Sequence, residues 1–448
     1  MQRLIDAVAQ ASEAILEAES FLWQHPAPGY REWEAHKYLA EKFEELGYHL
    51  TCPEDIPGFV TQIETGRPGP CVLVLAELDS LIVPGHPDAD AKTGAVHACG
   101  HHAQGAALYG LATALMQPGV LDELCGSIRL CMVPAEELIE TSWREELRKQ
   151  GKIHFFGGKV EFMYRGLFDG VDMAFMVHPA TMGTDLDFML EEGSNGCVVK
   201  NICYEGVSAH AGGAPHEGVN ALYAANLGMQ AINALRETFR DEKHVRVHPI
   251  ITKGGDAVNA IPAQVTMESY VRASDSETIR EVNERVNRAL AGSAAALGAN
   301  VVISDRAGYT PLKNDKNLSA AAYEAMVAVA PAERCAILPT WSTGCTDMGD
   351  VSSVMPAIHA YVGGAAGTGH GADYYIADRE LVCVKSAQFQ AALLHILLRN
   401  DAACAKDIIA KKDLPFASMA DYFDALLALQ RDVRAVNYER DGDITLRW

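Results

Sequence analysis

Apolar residues in the first half of the chain follow two different periods. Helical spacing covers residues 3–24 and 31–46, and the second pattern ends at Gly47, a residue type that commonly closes a helix. Three short unbroken apolar runs follow, at 71–76, 128–133 and 173–177. A helical pattern over 103–116 separates the first two runs. Buried strands that alternate with helices predict an α/β domain with a largely covered sheet, whose chemistry lies beyond the carboxyl ends of its strands.

The pattern changes near residue 195. The elements predicted from there are a strand (196–203), a helix (217–235), two strands (245–252 and 263–272), a helix (276–297) and a strand (299–304). This βαββαβ order predicts a ferredoxin-like unit. The α/β pattern then resumes, with helices near 316–330 and 379–399 and a strand at 357–362. We therefore predict an α/β fold with a discontinuous main domain, 1–194 and 308–448, and an inserted domain, 195–307.

The composition is that of an ordinary globular protein. Of the 448 residues, 49% are hydrophobic and 21% are charged, which excludes a disordered, collagenous or coiled-coil chain. The 37 Lys and Arg residues against 59 Asp and Glu residues give a net charge of −22. A surface this negative repels phosphate backbones and anionic lipids. We therefore expect neither a nucleic-acid partner nor a membrane-surface role.

The cysteines and the N-terminal pattern indicate the cellular compartment in which the protein is expected. The 11 cysteines are scattered without a C-x-x-C pair, which is typical of reduced thiols and not of a disulfide framework. The N-terminal residues follow an amphipathic helical pattern interrupted by acids, unlike a signal peptide. The apolar runs are strand-sized, and we expect no stretch to approach the ~20 residues of a membrane span. These features predict a cytoplasmic protein with no membrane partner.

The densest group of candidate ligands is the tract His97-Ala-Cys-Gly-His-His102, directly before a helical pattern. It holds one thiol and three imidazoles, which are ligands that zinc and similar metals prefer. The glycine between Cys99 and His101, at a helix start, lets both side chains turn toward one point. The competing interpretation is a surface histidine cluster beside a buried cysteine.

Further candidate ligands follow the three apolar runs. Glu77 and Asp79 follow the first run, Glu136 and Glu137 the second, and His178 the third. Each one alone could be a helix cap or a solvated loop residue. Together they deliver acids and a histidine to one edge of a sheet, which predicts a di-metal site. The adjacent carboxylates Glu136 and Glu137 suit a division of labour in which one binds metal and the other moves protons.

Two other motifs admit more than one interpretation. The glycine-rich stretch 363–371 lacks the lysine of a phosphate loop, and its glycines can instead bring the backbone close to a site and present His370. The glycines at 254–255 precede Asn259 in the same way. Ser208 and His210 lie two residues apart on an extended segment, where they would point the same way without facing each other. This spacing disfavours a serine nucleophile.

Seven motifs in this order resemble those of a known family. They are Ala-Glu-Leu-Asp-Ser-Leu (76–81), His-Ala-Cys-Gly-His (97–101), Pro-Ala-Glu-Glu (134–137), His-Pro (178–179), Gly-x-Ser-Ala-His (206–210), Gly-Gly-x-Ala-x-Asn-x-Ile-Pro (254–262) and Gly-Thr-Gly-His (367–370). The family is that of the di-metal amidohydrolases and metallopeptidases, which includes aminoacylases and carboxypeptidase G. The Cys-Gly-His form resembles the branch of indole-acetyl-amino-acid and aminobenzoyl-glutamate hydrolases. The resemblance implies a catalytic α/β domain of zinc-exopeptidase type with an inserted lid and dimerisation domain.

The resemblance also implies roles for residues at matching positions. The metal ligands would be Cys99, His101, Glu137, His178 and His370. Cys99 would bridge two divalent ions, with zinc or manganese expected and nickel or cobalt as alternatives. Glu136 would be the general base, and Asp79 would support the ligands from behind.

The implied activity is hydrolysis of an amide bond next to a free carboxylate, in an N-acyl or N-aroyl amino acid similar to aminobenzoyl-glutamate. Two divalent ions in each protomer would activate the attacking water. The resemblance places His210 in the active site of a partner subunit, which implies a homodimer or a higher homo-oligomer. Asn259 and Arg272 would hold the carboxylate of the small-molecule substrate.

Two alternatives stay open. One is a dipeptidase acting on β-alanyl or basic dipeptides, and the other is a non-catalytic metal-dependent binding protein on the same fold. Glu136 argues against the second, because a protein that only bound metal would not need a carboxylate beside Glu137. Two departures from the family pattern leave roles unassigned, namely His102 after the Cys-Gly-His motif and Ser80-Leu81-Ile82 in place of Ala-Leu-Pro. The segment 401–448 also has no assigned role.

Overall fold

A computed structural model of the chain describes residues 1–181 and 185–448. Its main domain contains a seven-stranded sheet whose four central strands are parallel. In sheet order the strands are Phe59–Glu64, Ser127–Val133, Cys71–Glu77, Met173–Pro179, Ala357–Val362, Phe188–Leu190 and Cys335–Ile337. The three apolar runs of the sequence are therefore adjacent parallel strands, and their carboxyl ends meet at one edge of the sheet.

Both faces of this sheet are buried. Along the strand Cys71–Glu77, Val72 and Val74 pack into one hydrophobic core while Leu73 and Leu75 pack into another. The helices of the main domain are Gln2–Gln10, Ser12–Gln24, Trp33–Glu45, His101–Leu115, Thr141–Lys149, Gly158–Tyr164, Lys316–Val329, Met348–Ser352, Ser386–Ala410, which is broken by a kink at residues 399–402, and Met419–Leu427. Two-sided burial explains why the strands are continuously apolar, and it confirms the predicted α/β class.

The first predicted helix, 3–24, is two helices in the structure. The chain leaves helical geometry at Ala11, where φ is −89° and ψ is 2°. Leu4, Ile5 and Val8 of the first helix and Ile15 of the second pack into the same core. A continuous apolar periodicity therefore hid the break, because both helices bury a similar face.

The inserted domain has the predicted βαββαβ order. Its elements are Gly196–Glu205, Ala221–Leu235, the short strands Arg246–Val247 and Ile250–Lys253, Gln264–Ala273, Ser276–Ala296 and Asn300–Ala307. The strands form an antiparallel sheet, called the lid sheet below, with Gly196–Glu205 between Gln264–Ala273 and Asn300–Ala307. The predicted strand 245–252 is split in two, and both pieces pair with Gln264–Ala273.

The C-terminal segment crosses between the two domains. Tyr422 and Leu426, on the helix Met419–Leu427, are buried in a core of the main domain. The strand Arg431–Arg434 then pairs with Asn300–Ala307 at the edge of the lid sheet, and Val436 is buried in the core of the inserted domain. The domain boundaries 1–194, 195–307 and 308–448 stay a prediction, and the structure adds that the last residues of the chain pack on the inserted domain.

Short strand pairs complete the fold. They are Leu81–Ile82 with Ala95–Val96, Gly193–Ser194 with Leu312–Lys313 and Trp341–Ser342, Ala365–Ala366 with Tyr375–Ile376, and Val436–Tyr438 with Ile444–Leu446. Gly193–Ser194 lies where the chain enters the inserted domain, and Leu312–Lys313 lies where the chain returns to the main domain. Gly193–Ser194 pairs with both Leu312–Lys313 and Trp341–Ser342 in a three-stranded sheet.

One helical stretch in the described ranges, Glu380–Ala410, is long and apolar enough to cross a membrane. The sequence prediction that no stretch approaches this length is wrong for that stretch. Its most apolar window is 89% buried inside the protein, where it packs on the helices Lys316–Val329 and Gln2–Gln10. The stretch therefore has the environment of a core helix.

Candidate metal centre

The carboxyl ends of three parallel strands converge on one cluster of polar side chains. Glu77 is the last residue of its strand, opposite Val133, the last residue of the neighbouring strand. Glu136 and Glu137 follow Val133 by a few residues, and His178 lies near the end of the third strand. All of these carboxylates are buried, so the sheet edge holds an unusual density of ionisable groups.

Five of the polar side chains form two groups that share Cys99, and a third group of Glu77, His101 and Glu136 shares His101 with the first of them. The first group is Cys99, His101 and His178, and the second is Cys99, Glu137 and His370. Within each group the candidate ligand atoms all lie within 4.8 Å of one another. Cys99 Sγ is 3.3 Å from His178 Nε2, and Glu137 Oε1 is 3.5 Å from His370 Nε2. The structure thus brings together all five residues that the sequence predicts as ligands.

The histidine rings are oriented by bonds on their far sides. His101 Nδ1 lies 2.9 Å from the carbonyl oxygen of Asp79, and His178 Nδ1 lies 2.6 Å from the carbonyl oxygen of Pro179. A protonated Nδ1 that donates to a carbonyl leaves Nε2 free as a metal ligand. Burial lowers the pKa of His178 to about 4, which keeps its ring in the neutral form that binds metal.

Asp79 supports two of the candidate ligands at once. Its carboxylate oxygen Oδ2 accepts a hydrogen bond of 2.8 Å from the backbone N–H of Glu137. Its other oxygen, Oδ1, lies 3.2 Å from His101 Nδ1. Because Asp79 is fully buried and held by both groups, it can orient a ligand from each of the two sets.

Unusual backbone conformations shape the site. Gly100 has a φ of 99°, and a Cβ at this position would lie 2.5 Å from the Tyr374 hydroxyl, so only glycine fits between Cys99 and His101. Ala135, directly before Glu136, has a φ of 58°, and His370 has a φ of 64°. Non-glycine residues in this left-handed region are strained and occur often at functional sites.

The residues fit divalent metal ions. Among the described residues, the buried atoms without a hydrogen bond include His101 Nε2 and Glu137 Oε1, which belong to the two ligand groups. Their nearest charged neighbours are Glu77 Oε2 at 3.1 Å and His370 Nε2 at 3.5 Å. A buried polar atom without a partner is costly, and a metal ion would satisfy both. Thiolate, imidazole and carboxylate donors suit zinc and similar borderline metals.

Glu136 lies beside the ligands in a setting that favours its protonated form. Burial, together with the negative charges of Glu77 and Glu137, raises the pKa of its carboxyl well above the usual range. The Tyr309 hydroxyl donates a hydrogen bond to the Glu136 backbone carbonyl, which anchors the loop. A carboxyl that is poised to hold a proton matches a residue that carries protons during a reaction.

Sequence analysis missed a buried ion network directly behind the site. The ammonium of Lys159 contacts Glu77 and Asp347, and all three side chains are fully buried. Burial opposes the ionisation of Glu77, but Lys159 and the nearby histidines outweigh it and hold the pKa of Glu77 below its usual range. Glu77 Oε2 in turn lies 3.1 Å from His101 Nε2. Lys159 shares its short helix, Gly158–Tyr164, with another charged residue, Glu161, and its partners lie 82 and 188 residues away, so no local pattern indicated the network.

Two further histidines near the site have different surroundings. His102, whose role was open, lies 3.3 Å from Glu19 through its Nε2, with its ring centroid 4.9 Å from that of Trp23, and it belongs to neither ligand group. His359, which sequence analysis also missed, lies with its ring centroid 5.5 Å from that of His178. Burial lowers the pKa of His359 to about 3, so the ring adds no positive charge next to the ligands.

Two predicted site residues lie apart from this cluster within one chain. His210 and Asn259 are exposed on the inserted domain, where a bridge between His210 and Ala260 holds their loops together. His210 Nδ1 accepts hydrogen bonds from the backbone N–H groups of Gly212 and Gly213, at 3.1 and 2.9 Å. In the described ranges, no contact joins either residue to the five candidate ligands.

Arg272 lies closer to the cluster. It is half-buried on the lid sheet, with its guanidinium 5.2 Å from the ring centroid of Tyr270, whose hydroxyl donates to the Leu138 carbonyl next to Glu137. Burial opposes its charge, but neighbouring groups, which include the Cys345 thiol and the Glu137 carboxylate, raise the pKa of Arg272. The structure therefore places this cation beside the loop that carries Glu136 and Glu137.

Comparison with known proteins identifies relatives of the chain. Residues 192–296 match the family model described as a peptidase dimerisation domain. The Xaa-Arg dipeptidase of Mus musculus is 27% identical over 381 residues, which cover 80% of this chain and 79% of that protein. A p-aminobenzoyl-glutamate hydrolase polypeptide of Escherichia coli is 25% identical over 339 residues, which cover 72% of this chain and 63% of that protein.

A solved structure supports the fold. A dinuclear metal-binding peptidase of Bacillus subtilis aligns with a TM-score of 0.62 at 23% identity, covering 87% of this chain and 99% of that one. The resemblance drawn from the seven motifs and the predicted inserted dimerisation domain are therefore confirmed, and the relatives are enzymes that hydrolyse C–N bonds.

Proposed function

We propose that this chain, which resembles the di-metal amidohydrolases and metallopeptidases, hydrolyses the amide bond of an N-acyl or N-aroyl amino acid. The observation that carries the proposal is the pair of ligand groups that share Cys99, with the carboxyl of Glu136 beside them. The five ligands would hold two divalent ions, for which zinc or manganese is the first expectation. When bound, such ions lower the pKa of a water and polarise the carbonyl that it attacks.

Glu136 is proposed as the proton carrier of the reaction. Its carboxylate would take a proton from the attacking water, and its raised pKa would let it hold that proton until the leaving amine accepts it. Glu137 belongs to a group that shares Cys99, whereas Glu136 lies in a different group with Glu77 and His101, so the two carboxylates would have different roles. Asp79 and the network of Glu77 and Lys159 would keep His101 and Glu137 in place.

His210 is proposed to act across a dimer. Its exposed position, away from the ligands of its own chain, supports a role in the partner's site, where it would donate to the developing oxyanion. Several large apolar side chains are exposed on the inserted domain, namely Val207, Tyr223, Leu227, Ile250, Ile251 and Val258. Together with the match to a dimerisation domain, these exposed side chains support a homodimer formed through the inserted domain.

The substrate is proposed to carry a free carboxylate. Arg272 supplies a half-buried cation next to the loop of Glu136 and Glu137, and Asn259 would contribute from its exposed loop. Bidentate pairing with an arginine is a common way to bind a carboxylate. The 11 cysteines are all free thiols, which supports a reducing compartment, and we propose the cytoplasm.

A second candidate function is a dipeptidase. It is favoured by the relatives from mouse and human, the Xaa-Arg dipeptidases, each of which matches 80% of this chain at 27% identity. Both functions use the same ligands and base, and they differ in the amine side of the substrate.

An amine-release screen tests both candidates. The purified protein, after its metal content has been measured, is incubated with N-acyl and N-aroyl amino acids and with dipeptides that end in arginine, lysine or glutamate. Turnover of the acyl or aroyl amino acids above the dipeptides supports the proposal, and the reverse order supports the dipeptidase. Bound metal without turnover of any amide that carries a carboxylate would overturn both and favour a binding protein.

A further inference from the structure

The guanidinium of Arg144 lies against the loop that carries Glu136 and Glu137. Its Nη2 donates to the backbone carbonyl of Glu137, and its Nη1 donates to the carbonyl of Ala135 at 3.4 Å. These are the carbonyls of the residues on either side of Glu136. We propose that Arg144 is a positioning residue, which fixes the backbone around Glu136 and so aims the carboxyls of Glu136 and Glu137 at the metal centre. This role rests on the proposed function, in which both carboxyls take part.

The loop needs such support because its backbone is strained. Ala135 has a φ of 58°, in the left-handed region that residues with a side chain rarely adopt. A strained residue keeps this conformation only where its surroundings over-determine it. The N–H of Ala135 donates to Glu32 Oε1, and the N–H of Glu137 donates to Asp79 Oδ2, each at 2.8 Å. Two buried carboxyls therefore hold the N–H groups of the loop, while Arg144 holds its carbonyls.

Among the described residues, Arg144 has no carboxylate partner for its charge. The residue is 1% exposed, and its hydrogen bonds all go to backbone carbonyls, the third of them to Phe156 at 2.8 Å. Burial of a cation is costly unless polar groups satisfy it. Because the carbonyls of the loop reach the guanidinium only in the observed conformation, the buried cation and the strained loop stabilise each other.

The helix that carries Arg144 is fixed to the lid sheet. Thr141 Oγ1 donates to Asn201 Oδ1 at 3.0 Å, at the start of this helix. Glu145, the residue after Arg144, pairs with Arg306 at 2.9 Å. Asn201 and Arg306 both belong to strands of the lid sheet. Arg144 is therefore part of an element that both domains hold in place, which makes it a firm anchor for the loop.

Loss of Arg144 should affect only one of the two ligand groups that share a cysteine. Glu137 is a member of one group, whereas the group of His101 and His178 contains no residue of this loop. A relaxed loop would weaken metal binding at the first group and misplace the Glu136 carboxyl, and it would leave the second group intact. A residue that merely stabilised the fold would weaken both groups or neither.

Hydrogen–deuterium exchange of the full-length protein as purified tests this role without a substrate. In Arg144→Met, which keeps an apolar stem but no donor, peptides that cover 134–139 should exchange at least about tenfold faster, the scale of one lost hydrogen bond to a charged group. The strand Met173–Pro179 should exchange at its unmodified rate, because only a general loss of stability would speed both. Arg148→Met makes the same change on the same helix, where Arg148 pairs with Glu145, and it should leave 134–139 unchanged.

Metal content and kinetics supply readouts from the site itself. Arg144→Met should lose the metal of the group that contains Glu137 and keep that of the other group, as measured by mass spectrometry. On an amide that the unmodified protein hydrolyses, kcat should fall by about 10²-fold with KM little changed, the scale of a reacting group misplaced by about 1 Å. If the unmodified protein hydrolyses no amide, the proposed function fails, and the exchange rates still decide whether Arg144 holds the loop.

A second variant separates the charge of the side chain from its bulk. Arg144→Lys keeps the cation and one donor group, so its exchange over 134–139 should lie between those of the unmodified protein and Arg144→Met. If Arg144→Met does not fold, Arg144→Lys compared with Arg148→Lys carries the same test.

Three results would overturn the proposal. The first is equal exchange over 134–139 in the Arg144 variants and their Arg148 controls. The second is exchange that rises equally over 134–139 and the strand Met173–Pro179, which would show a general loss of stability. The third is loss of metal from both ligand groups or from neither in Arg144→Met.

Discussion

Cys99 Sγ lies 3.3 Å from His178 Nε2, although 79 residues separate the two in sequence. Cys99 belongs to the turn before the helix His101–Leu115, and His178 lies near the end of a central strand. Both atoms are candidate metal ligands at the edge of a buried sheet. Cys99 is also the residue that the two groups of candidate ligands share.

Replacement of Cys99 tests that shared position. Cys99→Ala is expected to lose bound metal and hydrolytic activity while it stays folded, because the side chain is only partly buried, at the margin of a small hydrophobic cluster. Metal content is measured by mass spectrometry, and folding by circular dichroism. Cys52→Ala, at an exposed thiol, is the matched control and should keep both metal and activity. Full metal content and full activity in Cys99→Ala would refute the site.

The two adjacent glutamates are expected to behave differently. Glu136→Gln keeps the shape of the side chain but cannot accept a proton, so kcat should fall about 10²–10⁴-fold while bound metal is retained. Glu137→Gln should lose metal, and activity with it, since Glu137 is a member of a ligand group. Steady-state kinetics and metal analysis on both variants decide the matter. Normal turnover by Glu136→Gln with loss in Glu137→Gln would show that the two roles are reversed.

The cross-subunit role of His210 predicts complementation. His210→Ala should lower kcat by about 10²–10³-fold, the scale of one lost oxyanion donor, with metal content unchanged. Mixing this variant with Glu136→Ala under conditions of subunit exchange should restore part of the activity, because one site in each mixed dimer would then be intact. His216→Ala, at another exposed histidine of the inserted domain, is the control. Proven exchange without any recovered activity contradicts the proposal.

The buried network behind the site predicts a stability effect. Lys159→Met leaves the buried carboxylates of Glu77 and Asp347 without their cation, and loss of one partner of a buried ion pair typically costs about 3–5 kcal/mol. Lys149→Met removes an exposed lysine that pairs with Glu146, and it should change stability by less than about 0.5 kcal/mol. Urea unfolding of the two variants measures the difference. Similar small effects from both would mean that Lys159 does not hold the network together.

A salt bridge between the domains predicts a pH dependence. Glu145 of the main domain pairs with Arg306 of the lid sheet at 2.9 Å. Burial opposes its ionisation, but hydrogen bonds from Arg148 and Arg306 outweigh this and lower the pKa of Glu145 from 4.5 to about 2. A carboxyl whose pKa is lowered by folding stabilises the folded protein fully at pH values above its pKa in the unfolded chain. This stabilisation is lost as the pH falls toward and through its pKa in the folded protein.

The stability difference between the unmodified protein and Glu145→Gln should therefore be full above pH 4.5 and shrink toward pH 2. Urea unfolding across this pH range measures the difference, with Glu146→Gln, at an exposed neighbour, as the control. A difference that stays constant down to about pH 3 would show that the bridge does not lower the pKa of Glu145.

Much of the architecture follows from the sequence alone. Unbroken apolar runs mark the central strands because those strands are buried on both faces, and a local pattern reports local burial. The position of Asp79 and Glu136 just past such runs was enough to place them at one sheet edge. The βαββαβ order of the inserted domain was predicted in the same way, since each of its elements carries its own period.

Other features depend on contacts that no local pattern reports. Lys159 meets Glu77 and Asp347 across separations of 82 and 188 residues, and the pairing exists only because three elements pack at one point. The C-terminal segment packs on two domains at once, and a cavity at the domain junction is bounded by segments from distant parts of the chain. The sequence by itself determined which strands are buried and which ionisable residues follow them, because burial and residue type leave a local pattern along the chain. Only the tertiary structure decided which charges neutralise each other and where space remains, because these depend on distances between elements that the chain order does not set.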